Sequence, residues 1–340
     1  MKPDFSARQK KLRKLMKSNG LDAVLATSRE NAMYYTGYES PKDEKPFMIA
    51  PSDGRPILVL SPLLNEAETK YGNIVFMETK KDFFREIKPF RTLGYNEKSL
   101  SVSLFREISK PGMRIRPVGL MLENLRIVKD QYEINQIRNA VRITGKVIER
   151  AGNSAFGKTE RKIANGIVIG YLEHGVAEAY ESIVSSGKQS YFVHHSPNGR
   201  AVARSDAVLI DTGCAFNGYC SDITRMFFKR LDAKRRKVYE DAKHIFEEMK
   251  DAMKPGRKIS DLEKLQNKLF AKGGYTVFHK FGHSIGLSVH EPDGDVLKEG
   301  MVMAIEPGIY IKNLGGFRIE DMILIKRGRA ETLSGFIPVL

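Results

Sequence analysis

Apolar positions open the chain at helical spacing. Over residues 5–19, Phe5, Leu12, Leu15 and Met16 fall on one side, with Lys and Arg opposite, and Asn19-Gly20 ends the run. Short apolar runs follow at DAVLAT (22–27), FMIA (47–50) and PILVL (56–60). They predict buried strands, with SDG (52–54) turning between the last two. Segments 63–70 and 80–88 predict helices. Strands alternating with helices make residues 1–122 a small α/β domain. Its acidic residues do not cluster, and no site chemistry stands out in it.

Beyond residue 122 the pattern lengthens. Ile134, Ile137, Val141, Thr144 and Ile148 form one stripe over 130–151, which predicts a long amphipathic helix with Gly152 just past its end. Thr159 is placed to cap a second helix that runs to about His174. Strands are predicted at 181–186, 206–212, 218–228, 301–306, 308–312 and 317–326, and helices at 232–253 and 259–272. The fold class is α/β in the wider α+β sense, with a second domain over 123–340.

Length agrees, since 340 residues suit two domains of roughly 100–200 each. A content of 41% hydrophobic and 29% charged residues excludes a collagen-like or disordered chain. No run approaches the ~20 apolar residues of a membrane span. The basic N-terminus lacks the apolar stretch of a secretory signal. Two cysteines, Cys214 and Cys220, build no disulfide framework, so the cytoplasm is the expected compartment. The net charge of +15 could attract nucleic acid. No aromatic RNA-binding motif or zinc finger accompanies it, so it reads as a solvated surface and neither nucleic acid nor membrane is an expected partner.

One motif is refused. Gly152 to Thr159 matches the phosphate-binding pattern G-x4-G-K-[ST], but that chemistry needs a strand feeding the loop. A periodic helix precedes it here, so the segment reads as a helix–helix connector.

Four carboxylates interrupt apolar strand-like runs: Asp211 in AVLID, Asp222 in GYCSDITRMFF, Glu306 in MVMAIE and Glu320 in FRIEDMILI. A buried carboxylate is costly unless paired or bound to a cation. Only Arg225 and Arg318 lie in the same strands, whereas two divalent cations would balance all four charges. Arg318 shares strand parity with Glu320, which predicts that both project to one face. His279, His283 and His290 lie in a glycine-containing segment, HKFGHSIGLSVHE, so they are expected on strand or loop rather than helix. Such an oxygen-rich set favours Mn²⁺, Fe²⁺, Co²⁺ or Mg²⁺ over a thiolate zinc site. Cys214 and Cys220 read as small buried residues.

These residues and their flanks, D-x-G, S-D-x-T-R, G-H-x-I-G-L-x-V-H-E, I-E-P-G-I-Y and R-I-E-D, resemble the metallopeptidase family with the pita-bread fold. In that family the ligands come in the order Asp, Asp, His, Glu, Glu. The resemblance implies Asp211, Asp222, His283, Glu306 and Glu320 as ligands of two divalent metal ions, Mn²⁺ or Co²⁺ first, with Fe²⁺ or Zn²⁺ as alternatives. RENAMYYTGY (29–38) is similar to a segment of the creatinase/prolidase N-terminal domain, which points to the proline-specific branch. The implied reaction is hydrolysis of small Xaa-Pro peptides by a metal-bridging hydroxide, as a prolidase-like dipeptidase or aminopeptidase P, in a homodimer. The rivals are a methionine aminopeptidase and a non-catalytic relative that binds nucleic acid or ribosomes.

The resemblance also implies individual roles. Glu306 would move the proton, His194 would meet the substrate or leaving nitrogen, and His290 would stabilise the oxyanion. His279 would contact a product carboxylate, Arg318 would orient Glu320 or bind a substrate carboxylate, and Tyr310 is a further pocket candidate. His195 is expected to be a neighbour without a role. The family's glycine after the first histidine is replaced here by Lys280, beside the expected pocket.

Overall fold

Asp4 caps the first helix, Phe5–Ser18, by accepting from the Ala7 amide at 2.9 Å. The computed structural model describes residues 2–41, 43–109 and 112–339. The chain divides between Arg126 and Ile127 into two units. In the first, Ala23–Ala26 pairs antiparallel with Phe47–Pro51 and parallel with Thr92–Tyr95, at the centre of a six-stranded mixed sheet. Leu25, Ile49, Val59, Phe83, Leu93 and Ile108 form its core, where the helices Lys80–Ile87 and Val102–Ile108 pack.

Two expectations for this unit change. Residues 63–70 are not a helix, since only a 3-10 turn, Pro62–Leu64, forms and Leu63 is 85% exposed. The segment offers no apolar stripe to bury, which is what stabilises a short helix. A helix does form at Arg29–Thr36, within the segment singled out by its motif, capped by Ser28 and closed by Gly37 at φ 72°.

In the second unit a reciprocal pair of backbone-to-carboxylate bonds between Asp130 and Glu133 starts the long helix Gln131–Asn153. Gly152 is not past its end but inside the last turn. A Cβ at Gly152 would meet the Phe227 ring at 2.2 Å, so this glycine lets the helix approach the strand Ile223–Phe228. Gly152→Ala is expected to lower stability by about 1–3 kcal/mol through overpacking, despite the better helix propensity of alanine. Thermal melting should show the loss, and Phe227→Leu in the same chain should recover part of it. The connector after this helix joins it to Glu160–Glu173, capped by Thr159, and Lys158 bonds Ser154 at 2.9 Å.

Three antiparallel strands, Ile183–Ser186, Ala207–Thr212 and Ile223–Phe228, form one sheet. Gly282–Ser284, Val302–Ile305, Asp321–Lys326 and Arg329–Thr332 form another. Gly308–Ile311 and Gly315–Arg318 make a separate hairpin. Leu209, Met226, Phe246, Met249, Phe270, Met303 and Phe317 build the core between these strands and the helices Ala233–Asp251 and Ile259–Gly273. Two predicted strands are each broken in two: 218–228 at Ser221-Asp222, and 317–326 at Ile319-Glu320. The second break occurs where the chain leaves the hairpin and joins the strand Val302–Ile305. Only Asp211 therefore lies within a strand, and the other three carboxylates sit at strand ends.

Candidate active site

The broken strands aim their carboxylates at one cavity of about 580 Å³, lined among others by Asp211, Asp222, His283, Glu306, Arg318 and Glu320. Asp211 lies opposite Thr224 in the register. The Glu320 amide donates to the Thr224 carbonyl at 3.2 Å, and the Thr224 hydroxyl donates to Glu320 Oε2 at 2.8 Å. One threonine thus holds Glu320 against the strand that carries Asp211. Glu306 follows Val302–Ile305 and is fixed by its amide on the Phe281 carbonyl at 2.8 Å. His283 lies in Gly282–Ser284, on strand as expected. Its Nδ1–H donates to the Ser284 carbonyl at 3.3 Å, which turns Nε2 to the cavity, 3.6 Å from Asp222 Oδ2 and 4.0 Å from Glu306 Oε1.

The tightest grouping is Asp222, His283 and Glu320, each offering a donor atom within 4.8 Å of the others. Asp211 and Glu306 stand outside that trio on the same cavity. Asp211 joins it through Tyr180, whose hydroxyl contacts Asp211 Oδ1 at 2.6 Å and Asp222 Oδ1. Tyr180 went unnoticed in the sequence, where a tyrosine just before an apolar strand looks like core. Gly213 makes room for this arrangement, because a Cβ there would meet the Ser221 carbonyl oxygen at 1.8 Å and the Tyr180 ring at 3.1 Å.

Charge in the cavity is unbalanced. Burial pushes Asp222 up to about 6, with Asp211 adding to it and His283 opposing. Burial and the Asp222, Glu306 and Asp211 charges push Glu320 well above the usual carboxylate range. Burial would lower His283, but Asp222 and Glu306 outweigh it and raise the ring to about 9. Tyr180 lies well above its ordinary value because of burial, then Asp211 and Asp222, so its single proton faces two carboxylates. Four carboxylates share this cavity with Arg318, Lys280 and His283, and the burial and mutual repulsion that oppose ionisation of Glu320 are what a divalent cation would relieve.

The three expected substrate-binding side chains are each committed within the protein. Arg318 is 2% exposed and donates to Asp211 Oδ2, to Thr224 Oγ1 at 3.0 Å and to the Tyr310 hydroxyl at 2.9 Å. Although the strand breaks at Ile319-Glu320, Arg318 and Glu320 line the same cavity and share the Thr224 hydroxyl, and the ion-pair partner of Arg318 is Asp211. Tyr310 is not among the cavity-lining residues; it is buried behind the wall, where its hydroxyl meets His279 Nε2 at 3.0 Å. His279 lines the cavity, but its Nδ1–H donates to the Lys280 carbonyl at 2.9 Å. His290 lines the cavity with its ring 4.2 Å from that of His283, centroid to centroid. Burial, then the His283 charge, holds His290 below its ordinary value. His194 lies exposed at the rim. His195, expected to be idle, bonds the buried Glu160 at 2.8 Å, and Glu160 also accepts from the Ser186 amide at 2.9 Å. That carboxylate ties the loop carrying His194 to the sheet.

Comparison with known proteins agrees with this geometry. The model of metallopeptidase family M24 matches residues 135–327, and the chain belongs to that family. The creatinase/prolidase N-terminal domain matches residues 8–128 ahead of it, so this is an M24 metallopeptidase with the two-domain, mixed α/β pita-bread organisation. The Xaa-Pro dipeptidase of Pyrococcus furiosus is 32% identical, covering 96% of this chain and 97% of that protein. The crystal structure of the prolidase from Pyrococcus horikoshii OT3 superposes with a TM-score of 0.89 at 29% identity, over 96% of this chain and 98% of the other. An X-Pro aminopeptidase from Thermotoga maritima gives 0.87 at 25% identity, over 96% and 97%. Among the described residues no helix is long and apolar enough to cross a membrane.

Proposed function

We propose that this metallopeptidase is an Xaa-Pro dipeptidase of the prolidase type. The observation that carries the reading is the convergence of Asp222, His283 and Glu320, with Asp211 and Glu306, on one cavity. Support comes from relatives bearing that name over nearly the whole chain. The same reading takes 1–122 and 123–340 as the functional domains of a cytoplasmic homodimer.

Asp211, Asp222, His283, Glu306 and Glu320 would hold two divalent ions, Mn²⁺ or Co²⁺ first and Fe²⁺ or Zn²⁺ next, as the oxygen-rich donor set suggests. Bound there, the ions supply Lewis acidity towards the carbonyl and lower the pKa of water. Glu306, the most open of the four carboxylates, takes a proton from the attacking water and returns it to the prolyl nitrogen, so the products are a free acid and a secondary amine. His290 donates to the oxygen that gains charge. His194, on its tethered loop, meets the substrate near the leaving nitrogen.

The test is hydrolysis of Met-Pro, Ala-Pro, Arg-Pro-Pro and Met-Ala-Ser by metal-stripped protein given back Mn²⁺ or Co²⁺. Cleavage of the dipeptides is expected, and Glu306→Ala should lower kcat by on the order of 10²–10⁴-fold. Cleavage of Arg-Pro-Pro alone would make it an aminopeptidase P, the reading favoured by the Thermotoga relative. Release of Met from Met-Ala-Ser alone would make it a methionine aminopeptidase. Silence on all four with metal bound would overturn the peptidase mechanism.

A further inference from the structure

Arg318, His279 and Tyr310 have their polar groups occupied within the protein, as described above, which leaves open what receives a charged end of the substrate. Arg318 and Lys280 are the two cavity-lining residues with a lasting positive charge. Arg318 is paired with Asp211. Lys280 is exposed and makes no ion pair among the described residues.

Its backbone is fixed while its side chain is free. Three successive carbonyls are held: His279 by Gln266 Nε2 at 3.1 Å, Lys280 by His279 Nδ1 at 2.9 Å, and Phe281 by the Glu306 amide at 2.8 Å. Phe281 is buried and anchors the segment from below. The chain of bonds Arg318 to Tyr310 to His279 to Lys280 therefore sets where the Lys280 stem leaves the cavity wall. That point adjoins Glu306, whose Oε2 lies 3.9 Å from His279 Nδ1.

We propose that Lys280 is a carboxylate subsite of this cavity and receives the free C-terminal carboxylate of an Xaa-Pro dipeptide. The inference rests on the Xaa-Pro peptidase reading. In a dipeptide that carboxylate lies about one Cα–Cα step, ~3.8 Å, beyond the residue whose carbonyl is attacked. A flexible four-carbon stem rooted beside Glu306 spans such a distance. In a longer peptide the carboxylate moves a further residue away and an uncharged amide takes its place. Lys280 thus favours dipeptides over longer chains at the binding step, with the proton-transfer groups unchanged.

The test compares the Mn²⁺-loaded wild type with Lys280→Gly, Lys280→Gln and Lys280→Arg on Met-Pro, Met-Pro amide, Glu-Pro and Gln-Pro. Lys280 is exposed, so the variants should fold, and their melting temperatures provide the check. Lys280→Gly and Lys280→Gln should raise KM for Met-Pro on the order of 10–100-fold with kcat nearly unchanged, the usual effect of losing a charged hydrogen bond. KM for Met-Pro amide should not move, and Lys280→Arg should recover most of the loss. An equal rise on acid and amide, or none on either, would overturn the assignment. So would an effect confined to Glu-Pro against Gln-Pro, which would place the recognised carboxylate on the first residue. Calorimetric binding of L-proline and prolinamide to the same proteins needs no turnover and should show the same split. If wild type cleaves none of the four peptides, the dipeptidase reading fails, and this binding comparison alone decides the role of Lys280.

Discussion

Glu320→Gln should make the metal-stripped protein melt at a higher temperature at pH 8, and should abolish most of the rise in Tm that Mn²⁺ gives the wild type. The two effects have one origin. Glu320 is 1% exposed, and burial, then the Asp222, Glu306 and Asp211 charges, opposes its ionisation more than Arg318 assists it. In the unfolded chain it ionises near ~4.3. Above that pH the native state retains a proton that the unfolded state has released, so stability falls as pH rises towards the raised native pKa. Asp222, pushed up to about 6, adds a loss of the same sign between its unfolded value and about 6. Glutamine carries no charge at any pH and its carbonyl still accepts from the Thr224 hydroxyl, so the Glu320 part of the slope disappears. The benefit reverses with metal. A cation at 1,000 times its Kd stabilises by about 4 kcal/mol, and removing one of the charges that hold it forfeits most of that. Scanning calorimetry at pH 5 and pH 8, in EDTA and in excess Mn²⁺, reads all four arms. A variant that melts below wild type at pH 8 without metal would show that repulsion does not dominate the cavity.

The four carboxylate positions were legible because charge inside an apolar run is anomalous, whereas His283 was singled out from His279 and His290 only by the resemblance of its flanking residues. The four helices and the longer strands of the second unit were readable from their apolar pattern, but the short strands Ala177–Glu178, Cys214–Phe216 and Arg329–Thr332 were not. Breaks at Ser221-Asp222 and Ile319-Glu320 were not, because a strand that changes partners keeps its local apolar pattern. Arg225 illustrates the limit. It lies in the same strand as thought, but its guanidinium binds Asp321 at 2.6 Å and the Glu320 carbonyl at 2.8 Å, and its ion pair is not with any of the four cavity carboxylates. Tyr180 and Thr224 carry no charge, so nothing marks them in the sequence, yet they link Asp211 to Asp222 and to Glu320. In the first unit, the tyrosines and apolar residues of Arg29–Thr36 disguised a helix, and the polar stretch after Leu64 lacked the face a helix needs.

Arg318→Ala is expected to destabilise the metal-stripped protein by about 3–5 kcal/mol, the range for breaking a buried ion pair by removing one partner. At roughly 2–4 °C per kcal/mol for a unit of this size, its Tm falls by on the order of 10 °C. Three groups lose a donor at once: Asp211, the Thr224 hydroxyl and the Tyr310 hydroxyl. Lysine should not rescue the loss, because one ammonium cannot reproduce a planar fork reaching three acceptors. Arg318→Lys should therefore melt closer to alanine than to wild type. Asp211→Asn in the Arg318→Ala background should recover stability, since the uncompensated charge is then gone, and the double-mutant cycle measures the pair directly. Metal supplies the discriminating arm. A cation held by Asp211 would neutralise the charge that Arg318 no longer meets, so excess Mn²⁺ should raise Tm more in Arg318→Ala than in wild type. An equal or smaller rise would place Asp211 outside the metal-binding set and assign it to Arg318 alone.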